Sequence, residues 1–521
     1  MKKIVLASLA LALGWSGTAF AQTEVDALRY SQLGVAGSAR TQGLGGAQTA
    51  LGADVSNMAG NPAGIGMFRR SEFSITPALQ YSISEATANQ ATQSDERNLL
   101  TIPQAGLILS NRKGDEDASD WRGLNFGIGF TRLNNFNQRI SYQNTSAPPN
   151  TIVDYFAEQA NLRALNAGET LQESLDDEYD AGFNTIEGLA YGNYLIDVLE
   201  DDLGQYAEPI YSLGDISQSE EIERRGSQNQ IDIGVGTSYR DKIYIGASVG
   251  IITTNFTQES IFRESGHYIA SFNEDGSADV EGNYSLELYD NFTTRGAGVN
   301  LKVGVIARPI DALRIGASIQ TPTAFTLTDT YQRSLASTTL NPDTGVPESI
   351  DAFEDPGDFS YQLTTPFRAT GGVAVFLGKY GFLTGDVEYV NYGNSRFNED
   401  DEFGTGTTSF FTNLNGNISN TYQSAMNYRI GAEGRYESFR VRAGYAHSGD
   451  PYQSAALDGS VSSVTAGAGI RLQNWYADLA FVSSKSESRF SPYQFSSEGG
   501  EPVVDVNNKQ NSVLLTVGYN F

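Results

Sequence analysis

Charged side chains recur at every second position of several segments in the C-terminal part of the sequence. Two acidic residues occupy one of these segments, two arginines and a glutamate the next, two arginines the one after it, and an aspartate lies further along. An arginine can hold a carboxylate through two parallel hydrogen bonds, so this pattern could bind an anionic ligand. The same residues could instead pair with one another and stiffen the structure, which is the interpretation we favour. The set is Asp386, Glu388, Arg429, Glu433, Arg435, Arg440, Arg442 and Asp478.

Other residues with metal or nucleophile chemistry are scarce. The chain has no cysteine, which excludes thiolate metal sites, and its two histidines are His267 and His447. His447 ends a predicted strand near the outer rim and His267 falls in a predicted loop, so we interpret both as surface residues rather than haem ligands. We expect no cofactor, no metal site and no enzymatic activity.

The net charge is −28, and a large share of it lies in one stretch. Residues 151–226 contain 18 Asp and Glu against 3 Lys and Arg, a net charge of −15. We interpret this stretch as a solvated external loop, because Asp176, Asp177 and Glu178 lack the spacing of a calcium loop. Nucleic acid is not an expected partner, since its binding needs basic surface.

The elements that would position the charged set are strands. Apolar and polar or glycine residues alternate along many segments, as at Leu124, Phe126 and Ile128, which is the period of a two-faced β-strand. Short connections alternate with long ones, as in transmembrane β-barrels with short periplasmic turns. The fourteen predicted strands are about 73–84, 99–110, 122–136, 228–240, 243–255, 284–307, 312–328, 360–377, 381–393, 421–436, 439–448, 460–471, 475–487 and 509–521.

A barrel explains where the charges go. An arginine facing lipid at the middle of the bilayer would cost ~2–4 kcal/mol, so the charged set must face the interior. The fold class is therefore all-β, a 14-stranded antiparallel transmembrane barrel. Its barrel domain spans 72–521 and includes a long acidic, partly helical external loop at 137–227.

The two ends of the chain indicate export to the bacterial outer membrane. Residues 1–21 have a basic start, a short apolar run and a small-residue cleavage site, which predicts a signal peptide. The last strand ends at Phe521, and such a terminal strand resembles the signal that barrel-assembly machinery recognises. We expect a monomer among outer-membrane lipids.

Residues 22–71 fit no strand pattern and are rich in glycine. A fourteen-stranded barrel has an interior wider than its own side chains fill. This segment is about the right size to fill that interior, so we predict that it forms an N-terminal plug, or hatch.

The hatch region carries a resemblance. The stretch 51–73, with Asn61-Pro62-Ala63 followed by Met67 and Phe68, resembles the hatch of FadL/TodX-type outer-membrane transport proteins. The stretches 26–31 and 365–372 resemble a Bacteroidota branch labelled hemin receptor-like. The resemblance implies a fourteen-stranded barrel and places Asn61, Pro62, Ala63, Met67 and Phe68 on the hatch and substrate path.

What the resemblance implies for function is passive uptake of hydrophobic molecules such as long-chain fatty acids or aromatic hydrocarbons. In this family the ligand enters an external groove, passes to an interior pocket and leaves sideways through a gap in the wall. The acidic external loop would repel a fatty-acid carboxylate, which leaves the ligand open. Two alternatives remain: a partner or shuttle of a protein secretion system, and an outer-membrane hydrolase.

Overall fold

The computed structural model describes residues 24–114, 117–146, 151–164, 170–202, 204–209, 211–212, 215–272, 278–340, 346–399, 408–496 and 501–521. The predicted signal peptide, 1–21, lies outside these residues. The described chain forms a closed antiparallel barrel of fourteen strand positions. The barrel closes where Glu72–Ala88 pairs with Val504–Asn520.

The first half of the barrel contains long strands, of which β9 and β10 have 30 and 33 residues. The third strand position of the barrel consists of two collinear strands, β3 and β4, which both pair with β8. A two-stranded hairpin, β5 and β6, lies outside the barrel sheet. The strands are β1 Glu72–Ala88, β2 Ala91–Arg112, β3 Trp121–Asn135, β4 Gln138–Ser146, β5 Ile196–Asp201, β6 Gly204–Pro209, β7 Tyr211–Ser212, β8 Ile216–Tyr239, β9 Ile243–Phe272 and β10 Ala278–Ile310.

The second half is interrupted at three neighbouring positions, each made of two collinear strands: β11 with β12, β14 with β15, and β16 with β17. The strands are β11 Leu313–Gln320, β12 Ala324–Leu340, β13 Pro347–Phe353, β14 Gly357–Thr364, β15 Arg368–Phe376, β16 Gly381–Asn391, β17 Arg396–Glu399, β18 Ser424–Tyr436, β19 Phe439–Ser448, β20 Val461–Arg471, β21 Trp475–Phe490 and β22 Val504–Asn520.

The two faces of the wall differ as the alternation predicts. On β8, Ile231 and Ile233 are exposed on the outer face, whereas Gln230 and Asp232 between and beside them are buried inside. Exposed apolar side chains on one face suit lipid, and the polar side chains are left to the interior. The fourteen predicted strands all correspond to strand positions of the barrel.

Several predicted loops are wrong because the strands are longer. The predicted loop 256–283 belongs mostly to β9 and β10, which pair with each other through almost all of it. His267 therefore lies on β9 rather than in a loop, with its Nδ1 3.2 Å from Oδ1 of Asn283. Likewise, β8 begins at Ile216, twelve residues before the strand predicted at 228. In these extensions the outer face is mostly polar and the inner face mixes apolar residues such as Phe256 and Phe262 with polar ones, so the hydrophobic alternation fades although the ladder continues.

The acidic external region packs around its own hydrophobic core. It contains helices α3 Ile152–Ala164, α4 Leu171–Ala181 and α5 Ile186–Gly192 and the β5–β6 hairpin. Apolar side chains of these helices are buried against the extended strands β9, β10 and β12. We call this unit, residues 151–209, the external cap. A further helix, α6 Thr408–Thr421, was not predicted from the sequence.

The N-terminal segment, residues 24–71, lies inside the barrel. It contains helices α1 Glu24–Ser31 and α2 Ala39–Gln42 and two 3-10 helices, Val55–Met58 and Pro62–Met67. Most of its residues are buried, and they contact wall strands from β2 round to β22. None of the described helices has the length and apolar character needed to cross a bilayer.

Candidate functional site: the barrel interior

The Asn61-Pro62-Ala63 motif fixes a bend at the bottom of the interior. Asn61 caps the 3-10 helix Pro62–Met67: its Oδ1 accepts a hydrogen bond from the amide of Ala63 at 3.1 Å. Its Nδ2 donates to the carbonyl of Thr49 at 2.6 Å and to that of Val305 on β10 at 3.3 Å. Pro62 suits the first helical position because it has no N–H to satisfy. One amide side chain thus connects two parts of the segment to the wall.

Met67 and Phe68 end the same helix. Phe68 is buried, and its carbonyl accepts hydrogen bonds from Nδ2 of Asn125 at 2.9 Å and from Oγ of Ser110 at 3.0 Å. Met67 is partly buried, with its sulfur 3.5 Å from an Nη1 of Arg314 on β11. The motif residues are therefore attached to strands on two sides of the barrel.

Glycines of the wall make room for the segment. A Cβ at Gly246 would collide with the carbonyl of Pro62, one at Gly316 with the carbonyl of Thr49, and one at Gly444 with the amide of Gly45. Only glycine lets two backbones approach this closely. The wall is thus shaped to receive the segment at places spread around the barrel.

Polar wall side chains satisfy the segment's backbone. Oδ2 of Asp386 accepts hydrogen bonds from the amides of Gln48 and Thr49, at 2.8 and 2.9 Å, and from the Thr49 hydroxyl at 2.8 Å. Thr465 accepts from Gly45, and Asn125 donates to the carbonyl of Ile65. Because the segment has little regular structure, these wall groups replace the partners that a helix or a sheet would supply.

Most of the sequence-predicted charged set forms ion pairs across neighbouring strands. Glu388 lies 3.0 Å from Arg368 and 3.3 Å from Arg429. Arg442 bridges Glu433 and Asp478, with both N–O distances 2.7 Å, and Arg442 and Asp478 are almost completely buried. The remaining ion pairs are Arg435 with Glu433 and Arg471 with Asp478. Such mutual pairing leaves little of these arginines for a ligand.

Arg440 differs from the rest of the predicted set. Its Nη1 donates to the carbonyls of Glu437 and Phe439, both at 2.7 Å, near the turn that joins β18 and β19. The structure also brings in residues that we did not predict, Arg368, Arg471 and the buried pair of Lys302 with Asp232 at 3.1 Å. Their signal in the sequence is a charge at an inward position of an alternating strand, as in Leu301-Lys302-Val303.

The wall has a gap beside the interior. β2 pairs with β3 from Arg112 to Gln104, which lies opposite Thr131. Beyond that pair the described residues of the two strands form no ladder with each other. Pro103, next to that point, has no N–H to donate to a ladder. An Nη1 of Arg132 donates to the Thr101 hydroxyl across the gap. A cavity of about 340 Å³ lies inside, lined among others by Pro103 and Leu133.

Helix α1 lies in an aromatic chamber in the upper interior. Tyr30 is 1 % exposed and meets Phe136 edge to face, with ring centroids 6.2 Å apart. Arg29 lies over the ring of Phe256 at 4.0 Å. The buried residues of this chamber are Ala27, Leu28, Tyr30, Ile252, Phe256, Phe325, Leu327, Tyr361, Leu363, Val390, Tyr392, Phe397, Phe411, Leu414, Ile418, Tyr422 and Ala425. These side chains pack against one another and against α1, and the rings of Phe136 and Phe256 also line a cavity of about 300 Å³.

The histidines lie away from this interior. Nδ1 of His447 lies 3.0 Å from the Ser462 hydroxyl on the neighbouring strand. His447 shares the outer face of β19 with the exposed Tyr445, so this contact is a cross-strand pair of the outer surface. Among the described residues, no group of three or more His, Asp and Glu is arranged to hold a metal ion.

The fold and the filled interior define a class: a fourteen-stranded antiparallel barrel with an N-terminal segment inside. The chain has the fold of the crystal structure of a Pseudomonas aeruginosa FadL homologue, with a TM-score of 0.53, 12% sequence identity, and 94% of this chain and 100% of that chain covered. It also matches the Pseudomonas putida toluene transporter TodX with a TM-score of 0.49 and 14% identity, covering 94% of this chain and 99% of that one. No protein-family model and no curated protein sequence matches the chain.

Proposed function

We propose that the protein is a FadL/TodX-type channel of the bacterial outer membrane for passive uptake of hydrophobic molecules, such as long-chain fatty acids or aromatic hydrocarbons. The observation that carries the proposal is the wall gap between β2 and β3, which opens beside an interior cavity directly next to the N-terminal segment. The placement in a Bacteroidota branch rests on two sequence motifs alone and stays a prediction.

The proposed path follows from the chemistry of the interior. A hydrophobic molecule would partition from outside into the cavity beside α1 that Phe136 and Phe256 line, where burial of its apolar surface stabilises it by roughly 25 cal/mol per Å². Below the chamber the N-terminal segment closes the barrel, so the remaining way out is sideways through the gap. The lipid outside the gap takes up an apolar molecule without a desolvation cost.

In this proposal the N-terminal segment is the hatch, and Asn61, Pro62, Ala63, Met67 and Phe68 hold its lower part. The ion-paired ladder has a structural role: it stiffens the wall to which Asp386 attaches the hatch. A hatch held by separate hydrogen bonds rather than by a continuous ladder can shift without unfolding the barrel. No energy-coupling element is part of the proposal, and transport follows the gradient.

The test is uptake of radiolabelled oleate and of radiolabelled toluene by cells that lack their own transporter. The cells carry the wild type, the Asn61→Ala, Pro62→Ala variant, or Asn507→Ala as a control on an exposed strand position. We expect the wild type and the control to restore uptake. The hatch variant should show reduced uptake at equal levels of barrel in the membrane. A correctly assembled wild type that takes up neither compound would refute the proposal.

A further inference from the structure

Five tight turns lie side by side at the end of the barrel opposite the external cap. They are residues 239–243, 308–312, 376–380, 435–440 and 471–475, and we call them the turn rim. Backbone hydrogen bonds join each turn to the next. The amide of Arg308 donates to the carbonyl of Lys242 at 2.6 Å, that of Phe376 to Ala312 at 2.7 Å, that of Arg435 to Tyr380 at 2.7 Å and that of Arg471 to Ser438 at 2.9 Å. The turn rim is therefore one continuous surface.

The turn rim is basic although the chain as a whole is acidic. It contains seven Lys and Arg against three Asp and Glu, a net charge of +4, whereas the whole chain carries −28. The basic residues are Arg240, Lys242, Arg308, Lys379, Arg435, Arg440 and Arg471. The two ends of the barrel thus carry charge of opposite sign, and the turn rim attracts anions.

Three of these basic side chains are available to a ligand. Lys242 and Lys379 are exposed and, within the part of the chain that the structure describes, neither forms an ion pair. The Nζ of Lys379 lies 5.5 Å from the centroid of the Tyr380 ring. Arg440 donates to backbone carbonyls rather than to a carboxylate. The other four are paired: Arg240 with Asp120, Arg308 with Asp311, Arg435 with Glu433 and Arg471 with Asp478.

Large apolar side chains are exposed in the same turns. Tyr436 and Phe439 lie opposite each other on β18 and β19, and their exposed fractions are 75% and 57%. Tyr436 lies on the same face of β18 as the exposed Ile430, so it continues the apolar band of the outer surface. The other exposed apolar residues of the turn rim are Ile310, Leu377, Tyr380, Leu472 and Trp475. Aromatic rings beside basic side chains are typical of the boundary between lipid tails and headgroups.

We propose that the turn rim binds anionic phospholipids of the inner leaflet. Their phosphate groups contact Lys242, Lys379 and Arg440, and their acyl chains lie against the exposed apolar side chains of the same turns. A lipid satisfies both chemistries at once, whereas a soluble anion satisfies only the charge. Each basic residue beside an anionic lipid surface strengthens binding about fivefold. The inference rests on the proposed insertion in the outer membrane but not on the uptake of hydrophobic molecules.

The test is quenching of tryptophan fluorescence by brominated lipids in phosphatidylcholine vesicles that contain the purified protein. Trp15 lies in the predicted signal peptide, and Trp121 and Trp475 are replaced by phenylalanine. Tyr436→Trp then reports on the turn rim, and Tyr428→Trp reports on a position eight residues away on the same exposed face of β18. We expect brominated phosphatidylglycerol to bind beside Tyr436→Trp about fivefold or more tightly than brominated phosphatidylcholine. Tyr428→Trp should show no such preference, and salt should weaken the preference at the rim.

Removing the two unpaired lysines separates the turn rim from general adsorption of anionic lipid. Lys242→Gln combined with Lys379→Gln should abolish most of the preference. Lys485→Gln combined with Lys509→Gln should preserve it, since these exposed lysines face each other across β21 and β22 in the half of the barrel nearer the external cap.

Each contrary result overturns the lipid site. Equal quenching by the two lipids at Tyr436→Trp would favour an acidic periplasmic protein as the partner of the turn rim. A preference that survives the loss of Lys242 and Lys379 at wild-type thermal stability, or that is equal at Tyr428→Trp, would assign it to the whole surface. Either brominated lipid quenches only an inserted barrel, so failed insertion is distinguishable from absent preference, and uptake of oleate and toluene is measured separately.

Discussion

Asp386 connects the wall of the barrel to the segment inside it. Its Oδ2 accepts two backbone amides and one hydroxyl from Gln48 and Thr49, all within 2.9 Å. The carboxylate therefore accepts backbone hydrogen bonds that a neighbouring strand would accept in a sheet. Its charge is balanced by Arg429 nearby, which also pairs with Glu388.

Replacing Asp386 by alanine removes these three hydrogen bonds and leaves the buried amide of Thr49 and the part-buried amide of Gln48 without this partner. Each unpaired group costs roughly 1–3 kcal/mol. We expect Asp386→Ala to lower the thermal unfolding temperature of the protein in detergent and to make the N-terminal segment easier to cleave by protease. The control is Asp505→Ala, an exposed carboxylate paired with Arg489 on the outside of β22. Equal stability of the two variants would contradict this role of Asp386.

Strand alternation predicted inward positions for most ladder residues, but it gave neither their partners nor the ladder members Arg368 and Arg471. Alternation places Glu388 and Arg442 on the inner face, yet the neighbours of a side chain depend on strand register, which no local pattern encodes. Arg224 illustrates the limit. It has the same residue type and the same inward position as the ladder arginines, and only the three-dimensional structure shows that its partners are amides.

At the scale of elements, β9 has two functions along its length. Its lower part carries Gly246, against which the carbonyl of Pro62 lies, and its upper part packs against the external cap. The alternation that predicted the lower part fades in the upper part, because the inner face there mixes Phe256 and Phe262 with the polar Glu264 and the outer face is mostly polar.

A side chain at Gly246 would displace the hatch. Valine there would collide with the Pro62 backbone, and overpacking of this kind costs about 1–3 kcal/mol. We expect Gly246→Val to raise the ion conductance of the protein in planar bilayers, because the hatch no longer seals the barrel. Gly371→Val is the matched control, since a Cβ at Gly371 meets nothing within 4 Å. Identical conductance of the two variants would contradict the contact between Gly246 and the hatch.

The external cap is attached through a buried carboxylate. Oε2 of Glu264 on β9 accepts hydrogen bonds from the amide of Ile152, the first residue of α3, at 3.1 Å and from Gln218 at 2.6 Å, and Oε1 accepts one from Tyr284 at 2.9 Å. Burial raises the pKa of Glu264 to about 7, and the three hydrogen bonds only partly oppose that shift. At this level the outer face of the wall carries the exposed ion pair of Arg263 and Glu287, which would not face lipid.

The raised pKa gives cap attachment a definite pH dependence. The folded state holds a proton on Glu264 more tightly than the unfolded state, so the stabilisation is fully present below about pH 4.5 and is lost as pH rises towards about 7. We expect amide hydrogen exchange in α3, corrected for intrinsic rates, to be slower relative to the unfolded chain at about pH 5 than at about pH 8. Glu264→Gln should remove this difference; a variant with unchanged pH dependence would assign it to another group.

At the scale of the whole molecule, an even number of strand positions places both ends of the barrel wall on one side. The tight turns, such as the one between Tyr239 and Ile243, lie on that side, and the external cap lies on the other. Strand number and turn pattern could be predicted from the sequence because each strand carries its own alternation. The sequence also predicts an acidic, partly helical loop at 137–227, but neither the packing of the cap against β9, β10 and β12 nor helix α6 could be predicted, since both depend on strands far away in the chain.

The absence of cysteine makes the orientation directly testable. We expect a single cysteine at the exposed Asp177 of the cap to react with a membrane-impermeant maleimide in intact cells. A cysteine at Asp311, whose side chain is 97% exposed in a tight turn, should react only after the outer membrane is permeabilised. The reverse pattern would invert the proposed orientation, and labelling of both in intact cells would contradict insertion in the outer membrane.

The seating of the N-terminal segment also bears on how the molecule is built. The amide of Ala39 donates to the hydroxyl of Thr516 at 2.8 Å, across 477 residues of sequence. The part of the chain made first therefore finds its final partner only when the last strand exists, and contacts between such distant residues form slowly. The N-terminal segment therefore cannot make all of its wall contacts until β22 pairs with β1. Complete docking of the segment thus depends on a complete wall. A chain truncated before β22 would lack the hydrogen bond between Ala39 and Thr516.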